Sequence, residues 1–399
     1  MHSLAFLLVC LFAFSHLASA SAMEENEEVE ERVVLRRVPD GGIQPEAVRD
    51  AAGRIHLLYF SGAPAGGDLY YVRSDDDGTT FSSPLRVNSE PGSAIAAGTI
   101  RGGQLALGRN GRPHVAWNGS GTAGVRGPLD PSTGRAGAQM FYSRLNASSK
   151  SFEPQRGLIQ RTLHLDGGGS IAADESGHVY VAWHGNDLDG AGRDEATRSV
   201  WIARSSNDGQ SFSREHSVWN RPTGVCACCA LELFVVGGAV HLMYRSATSL
   251  TNRDIHFLTS TDRGRSFRGG RIDPWKINAC PMTSMSFAMT GTRLLGAWET
   301  EGKVFMSTLD PGQSRAVKIM APEEATAQKK HPRLAVNARG ETLLVWTEGT
   351  GWSRGGSVAW AVFGARGERT AISGKRPGVP VWSCAAAVPR RDGGFVVFY

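Results

Sequence analysis

The chain has 399 residues, of which 20% are charged and 41% hydrophobic, with a formal net charge of +5. Length alone allows two domains, but no low-complexity linker divides the chain, no basic stretch interleaved with aromatics points to nucleic acid, and past the N-terminus no apolar run reaches transmembrane length. Residues 1–20 combine an apolar core over 4–12, Phe14 and Leu17 with the small-residue end Ala18-Ser19-Ala20, the pattern of a signal peptide, although its first residues offer only His2 and no Lys or Arg. The mature protein is therefore expected to be secreted or periplasmic. Residues 21–31 hold Glu24, Glu25, Glu27, Glu28, Glu30 and Glu31, a like-charge run expected to stay solvated and disordered.

Residues 32–399 carry two repeats in phase. The first is a Gly-led strand ending in an aromatic residue, at 53–59, 111–117, 177–183, 238–244, 291–298, 340–346 and 394–399. The second is an alternating apolar strand, at 69–73, 140–143, 200–204, 255–259, 304–307 and 358–361. Three of these six run into the same turn: Ser74, Asp76, Gly78, Thr80, Phe81; Ser205, Asn207, Gly209, Ser211, Phe212; and Ser260, Asp262, Gly264, Ser266, Phe267. Asp or Asn folds onto nearby backbone N–H groups, Gly supplies positive φ, and Phe plugs the turn against the sheet. A period of roughly 50 residues with short strands is the signature of blades arranged radially. The pattern predicts an all-β chain forming a single β-propeller of four-stranded antiparallel blades over 32–399. Seven inner hairpins against six outer ones favour seven blades, with six as the alternative. In the seven-blade layout the C-terminal hairpin of 385–388 and 395–399 is completed by a strand at 32–38.

The three turns resemble the Asp-boxes of the sialidase superfamily, in which each box joins the two outer strands of a propeller blade. The resemblance implies a site on the rim opposite the boxes, where innermost strands begin and second strands pass to third. Sialidases bind a carboxylate with three arginines and use an Asp acid/base and a Tyr–Glu pair. The residues carried over are Arg245 after Tyr244, Glu299, Glu348 and Asp187, while Arg37-Val38-Pro39 imitates the family's Arg-Ile-Pro from a closing strand. If the chain is an enzyme, the resemblance makes it a sialidase-like glycoside hydrolase. An anionic glycan is the partner it implies, by action or by binding, with classical sialidase catalysis not expected.

On that same rim, Cys226, Cys228 and Cys229 precede the fourth innermost strand, Cys280 the fifth and Cys384 the seventh, with His331 entering the sixth. Innermost strands converge on the axis, so one cluster of five thiols is expected. Three readings stay open: disulfide staples, as suits an exported chain; a metal site of these cysteines with His331 or His164, for which soft ligands select copper(I) or zinc; and a redox-active thiol. The whole chain thus reads as a glycan-related propeller, a metal or redox protein, or an interaction scaffold. The link after the third blade's second strand adds His184, Asp187, Asp189, Arg193, Asp194 and Glu195. His114 and His241 read as packed within the sheet, as do Trp117, Trp183, Trp298 and Trp346, and Asn118 and Asn146 stand in glycosylation sequons.

Overall fold

The computed structural model describes residues 32–312, 315–322 and 328–399. The expected signal peptide and acidic segment fall on residues 1–31, outside the described residues. Among the described residues, seven blades surround one axis, and no helix is long and apolar enough to cross a membrane. From axis to periphery, blade one comprises Ile43–Arg49, Ile55–Ala63, Gly66–Ser74 and Leu85–Arg86, and blade three Thr162–Ala173, Val179–Asp187, Ser199–Ser205 and His216–Ser217. Blade four runs through Glu232–Val236, Ala239–Arg245, Ile255–Ser260 and Arg268–Asp273. Blades two, five and six repeat the four-stranded antiparallel plan. Blade seven has three described strands: Ala386–Pro389 pairs antiparallel with Phe395–Phe398, which pairs in parallel with Val33–Arg36. Parallel pairing follows from the closure, since a strand arriving from the other end of the chain is under no hairpin constraint.

Every blade lies between two others, so both faces of its central strands are buried and the usual alternation disappears. On Val179–Asp187, Val179, Val181 and Trp183 pack toward blade two, whereas Tyr180 and Ala182 pack toward blade four. One apolar cluster fills each of the seven interfaces, including the one between blades seven and one, where Val396 and Phe398 meet Leu57, Tyr59 and Val72. Trp117, Trp183, Trp298 and Trp346 are all buried in these layers. His114 donates or accepts at 2.7 Å from the Tyr142 hydroxyl, and His241 at 3.0 Å from that of Thr259, as expected of packed histidines.

The box turns join third strands to outer strands. Asp76 accepts from the Ser74 hydroxyl at 2.8 Å, the Thr80 N–H at 2.8 Å and the Thr80 hydroxyl at 2.6 Å. Asp262 repeats this with Ser260 and Ser266, whereas Asn207 accepts from the Ser205 hydroxyl and the Ser211 N–H and donates to the Ser211 hydroxyl. The terminal aromatics reach beyond their own turn: Phe81 meets Phe398 edge-on across the ring closure, and Phe212 meets Tyr142 at 4.7 Å between centroids. Each box is thus a clasp between blades. At the opposite rim, every innermost strand is entered through a left-handed residue: Gln44, Thr99, His164, Gly224, Met282, His331 and Trp382 have φ between 50° and 70°. Six of these are not glycine, a conformation that costs roughly 1–2 kcal/mol per residue.

The Thr80 hydroxyl and N–H hold the Asp76 carboxyl down to about 2. Burial works against Asp262, but the Ser266 and Ser260 donors outweigh it and leave it lower still. Both folded values lie below the unfolded value of about 3.9, so this stabilisation is intact above about pH 4 and is lost as pH falls toward 2. In the Asp76→Asn/Asp262→Asn double variant, which copies Asn207, urea unfolding should show a flatter loss of stability over that window than in the wild type. Identical acid profiles would show that the box carboxylates are not held as described.

Candidate functional site: a thiol cluster among buried arginines

The segment 224–231 enters blade four across the top of blade three. Its backbone is tied on all sides: Val225 N–H donates to the Glu195 carbonyl at 3.0 Å, Cys226 N–H to that of Arg245 at 2.9 Å, and Ala230 N–H to that of Thr283 at 3.0 Å. Blade three yields space through Gly167, whose φ is +62° and where a Cβ would stand 2.5 Å from the Cys229 carbonyl and 2.3 Å from His184 Nε2. No side chain fits there, and the Gly167 carbonyl in turn accepts from Asn118 Nδ2 at 2.7 Å. Asn118 is buried with that amide engaged, which removes it as a glycan acceptor.

This seating turns three sulfurs toward one another. Cys226 Sγ lies 3.5 Å from Cys228 Sγ and 3.4 Å from Cys229 Sγ, and all three fall within 4.8 Å of one another. Cys280, from the entry to blade five, is exposed and stands outside this three-sulfur group. The five described cysteines are all free thiols, so no disulfide staples the rim here. Cys384 departs from the expected five-thiol cluster. It lines, with His331, Glu46, Glu232 and Arg333, a cavity of about 20 Å³, and burial pushes its thiol up to about 12. Equivalence around the ring fixes the angular position of an entry residue but not its distance from the next blade's entry.

Two buried arginines, Arg245 and Arg253, and the half-buried Arg198 interact electrostatically with the sulfurs. Arg253 donates through Nη2 to Glu195 Oε2 at 2.7 Å, and Glu195 Oε1 accepts from the Ala227 N–H at 2.7 Å, so one carboxylate fixes both the cation and the cysteine loop. Arg245 donates to the Arg253 carbonyl at 2.8 Å and to the Glu299 carbonyl. Arg198 donates to the His164 carbonyl at 2.8 Å and lies 3.3 Å from His184 Nδ1. Nε and Nη1 of Arg253 and Nε of both Arg245 and Arg198 are buried without a hydrogen-bond partner. Burial alone would raise Cys229, but S–H donation from Cys226 and Cys228 and the Arg245 charge outweigh it and hold Cys229 well below the ordinary thiol range. The neighbouring thiols are raised: Cys228 first through Cys226, and Cys226, which Cys228 lowers, through Cys229 and burial, which outweigh it. Cys280 is lowered to about 7, first through its interaction with Cys228.

The residues carried over from the sialidase resemblance do not form one open site. Arg245 is 1% exposed, its guanidinium occupied by the two carbonyls and, at 3.4 Å, by the Glu299 carboxylate. Tyr244 is buried with its hydroxyl 2.8 Å from that of Thr223. Glu348 accepts from Trp346 Nε1 at 2.8 Å and pairs with Lys375. Asp187 forms a two-pronged pair with Arg161 at 2.8 and 3.1 Å, and Arg37, exposed and just past the closing strand, lies over the Tyr399 ring. His164 turns away from the sulfurs to Asn186 and Asp130, at 3.0 and 3.1 Å. His331 is buried, its Nδ1 without a partner, and feels the charge of Cys229 from outside the three-sulfur group. Of the link residues, Glu195 and His184 reach the cysteine loop, Glu195 at the Ala227 N–H and His184 Nε2 at 3.2 Å from the Cys229 carbonyl. Arg253 had no sequence signal beyond its position just before a third strand.

No protein-family model matches the sequence, and no curated protein matches it significantly. Among solved structures, the chain is similar to a protein of unknown function from Dyadobacter fermentans, with 15% identity, a TM-score of 0.56 and coverage of 83% of this chain and 96% of that one. It is also similar to an α-L-arabinanase from Penicillium chrysogenum, with 14% identity, a TM-score of 0.52 and coverage of 83% and 95%. A Trypanosoma rangeli sialidase matches at 11% identity and a TM-score of 0.52, over 79% of this chain but 54% of the sialidase. At these identities the likeness is one of fold, and the fold is the sialidase-like propeller.

Removing the Glu195 carboxylate leaves Arg253 buried and unpaired. Glu195→Ala is therefore expected to lower stability by about 3 kcal/mol, whereas Asp187→Ala, at an ion pair about a third exposed, costs under about 1 kcal/mol. Urea unfolding of both variants checks this, and equal effects would mean that the cysteine loop does not depend on Glu195.

Proposed function

We propose that this chain binds a soft metal ion, copper(I) in preference to zinc, through Cys226, Cys228 and Cys229. The observation that carries this is the convergence of three free sulfurs beside buried arginine N–H groups that lack acceptors. Thiolates around one ion at about 2.3 Å stand roughly 3.8–4.0 Å apart, so the 3.5 and 3.4 Å spacings from Cys226 need open by only a few tenths of an ångström, and the third pair already lies within 4.8 Å. Three thiolates on a monovalent or divalent ion leave a net negative centre, which the Arg198, Arg245 and Arg253 charges offset and their free N–H groups can bond. A neutral three-thiol cluster would leave those donors unmet. The choice of copper(I) rests on number: three sulfurs converge among the described residues, while structural zinc takes four ligands and both histidine candidates stand apart.

The fold also suggests a glycan-directed protein, glycan-active or glycan-binding. Nothing in the disposition of Arg245, Tyr244, Glu299 and Glu348 favours it, since a carboxylate clamp needs guanidinium groups open to the ligand, and we read the chain as lacking sialidase catalysis. An interaction scaffold has no specific observation behind it. Export, read from residues 1–20, would put the site where copper is handled outside the cytoplasm.

Anaerobic titration of the reduced protein with copper(I) against a chromogenic copper(I) chelator is expected to give one tightly held ion per chain. Cys229→Ser should weaken this at least about 100-fold, the upper end of what a lost outer-shell partner costs. Failure to compete with the chelator, or tighter retention of zinc than of copper(I), would overturn the reading.

A further inference from the structure

The innermost strand of each blade is the edge of its sheet, so seven strand edges, with outward-pointing N–H and C=O groups, face the axis. They enclose a cavity of about 270 Å³ that all seven blades line, from Val48 in blade one and Leu107 in blade two round to Leu334 in blade six and Ala387 in blade seven. Phe234 and Phe287, with ring centroids 5.9 Å apart, form part of its wall. Glu46, Glu232 and Arg333 line both this cavity and the 20 Å³ one beside Cys384, so these three residues stand where the two meet.

Two of the three charges cancel. Arg333 donates to the Glu46 carboxylate and, at 3.1 Å, to the Met285 carbonyl, and Gln104 Nε2 donates to Glu46 at 3.2 Å. Glu232 has neither a hydrogen bond nor an ion pair among the described residues, and burial raises its carboxyl to about 8 against the lowering pull of Arg333. The other titratable groups around the two cavities supply no cation: burial lowers His331 to about 3 and raises Cys384 to about 12. A carboxylate left unpaired beside apolar walls is costly, and what it lacks is a positive charge.

We propose that the axial cavity binds a small organic ammonium ion, its apolar body against Phe234, Phe287 and Leu334 and its head on Glu232. An ammonium brings one positive charge and three N–H donors, which Glu232 and the carbonyls of the strand edges can accept. A cavity of about 150 Å³ holds benzene, so this one suits about ten non-hydrogen atoms. An inorganic cation would leave the apolar wall uncovered, and Arg333, already engaged by Glu46, has no second charge to offer an anion. The site is separate from the three sulfurs and does not depend on the copper(I) reading.

Calorimetric titration at pH 9, where Glu232 is ionised and an alkylammonium keeps its proton, tests this. It compares n-hexylammonium with methylammonium, which lacks the body, and with n-hexanol, which lacks the charge. One n-hexylammonium is expected per chain, bound at least about tenfold more tightly than either. Glu232→Gln should remove the advantage over n-hexanol, and Ala387→Leu, which fills the cavity, should weaken n-hexylammonium about tenfold or more. Urea unfolding checks that the variants fold, and Glu232→Gln, which loses a carboxyl with no partner, should be at least as stable as the wild type. Should Ala387→Leu fail to fold, Glu232→Gln decides alone. No binding by the wild type, equal binding of methylammonium, or an n-hexylammonium affinity unchanged in either folded variant would overturn the proposal.

Discussion

Closure of the ring is the constraint on which the rest of the structure depends. Val33–Arg36 adds to Phe395–Phe398 in parallel, Tyr399 N–H donates to the Arg36 carbonyl at 3.1 Å, and the apolar layer between blades seven and one is completed. Only a closed ring gives every blade two neighbours, and only then are strands such as Val179–Asp187 buried on both faces. Closure also holds the seven entries to the inner strands at fixed distances from one another. Residues from blades three, four and five can therefore meet in one site without a helix or crosslink to support them.

Much of this is written locally. Strands with a period of two, box turns whose Asp, Gly and Phe each have one task, and a repeat of about 50 residues all depend on neighbours in sequence. Their placement, the seven blades and the closing strand were legible for that reason. The resemblance to sialidases reached as far as the fold, because Asp-boxes are structural turns that carry no chemistry. Convergence of the cysteines was legible in part: Cys226, Cys228 and Cys229 share one loop, and Cys280 enters the adjacent blade. Cys384 was misjudged, since repeat position says nothing of how far an entry loop leans. Glu195 and Arg253 were hidden for a different reason. Their pairing joins the links of two blades across 58 positions, and only the folded ring brings them together.

The site's electrostatics run against what stability alone would select. Buried arginines with unmet N–H donors and a lowered thiol beside them are costly, and six non-glycine residues at the rim hold left-handed backbone. The proposed metal–thiolate centre, being anionic, would relieve the first of these costs directly. Arg245 is committed to the Arg253 and Glu299 carbonyls, which leaves its guanidinium buried beside the cysteine loop and not open to an outside ligand.

X-ray absorption at the copper edge of the copper(I)-loaded protein tests the central claim most directly. The account predicts a shell of three sulfurs at about 2.3 Å with no histidine scattering beyond it. A shell containing imidazole nitrogen, or one with light ligands in place of sulfur, would contradict it.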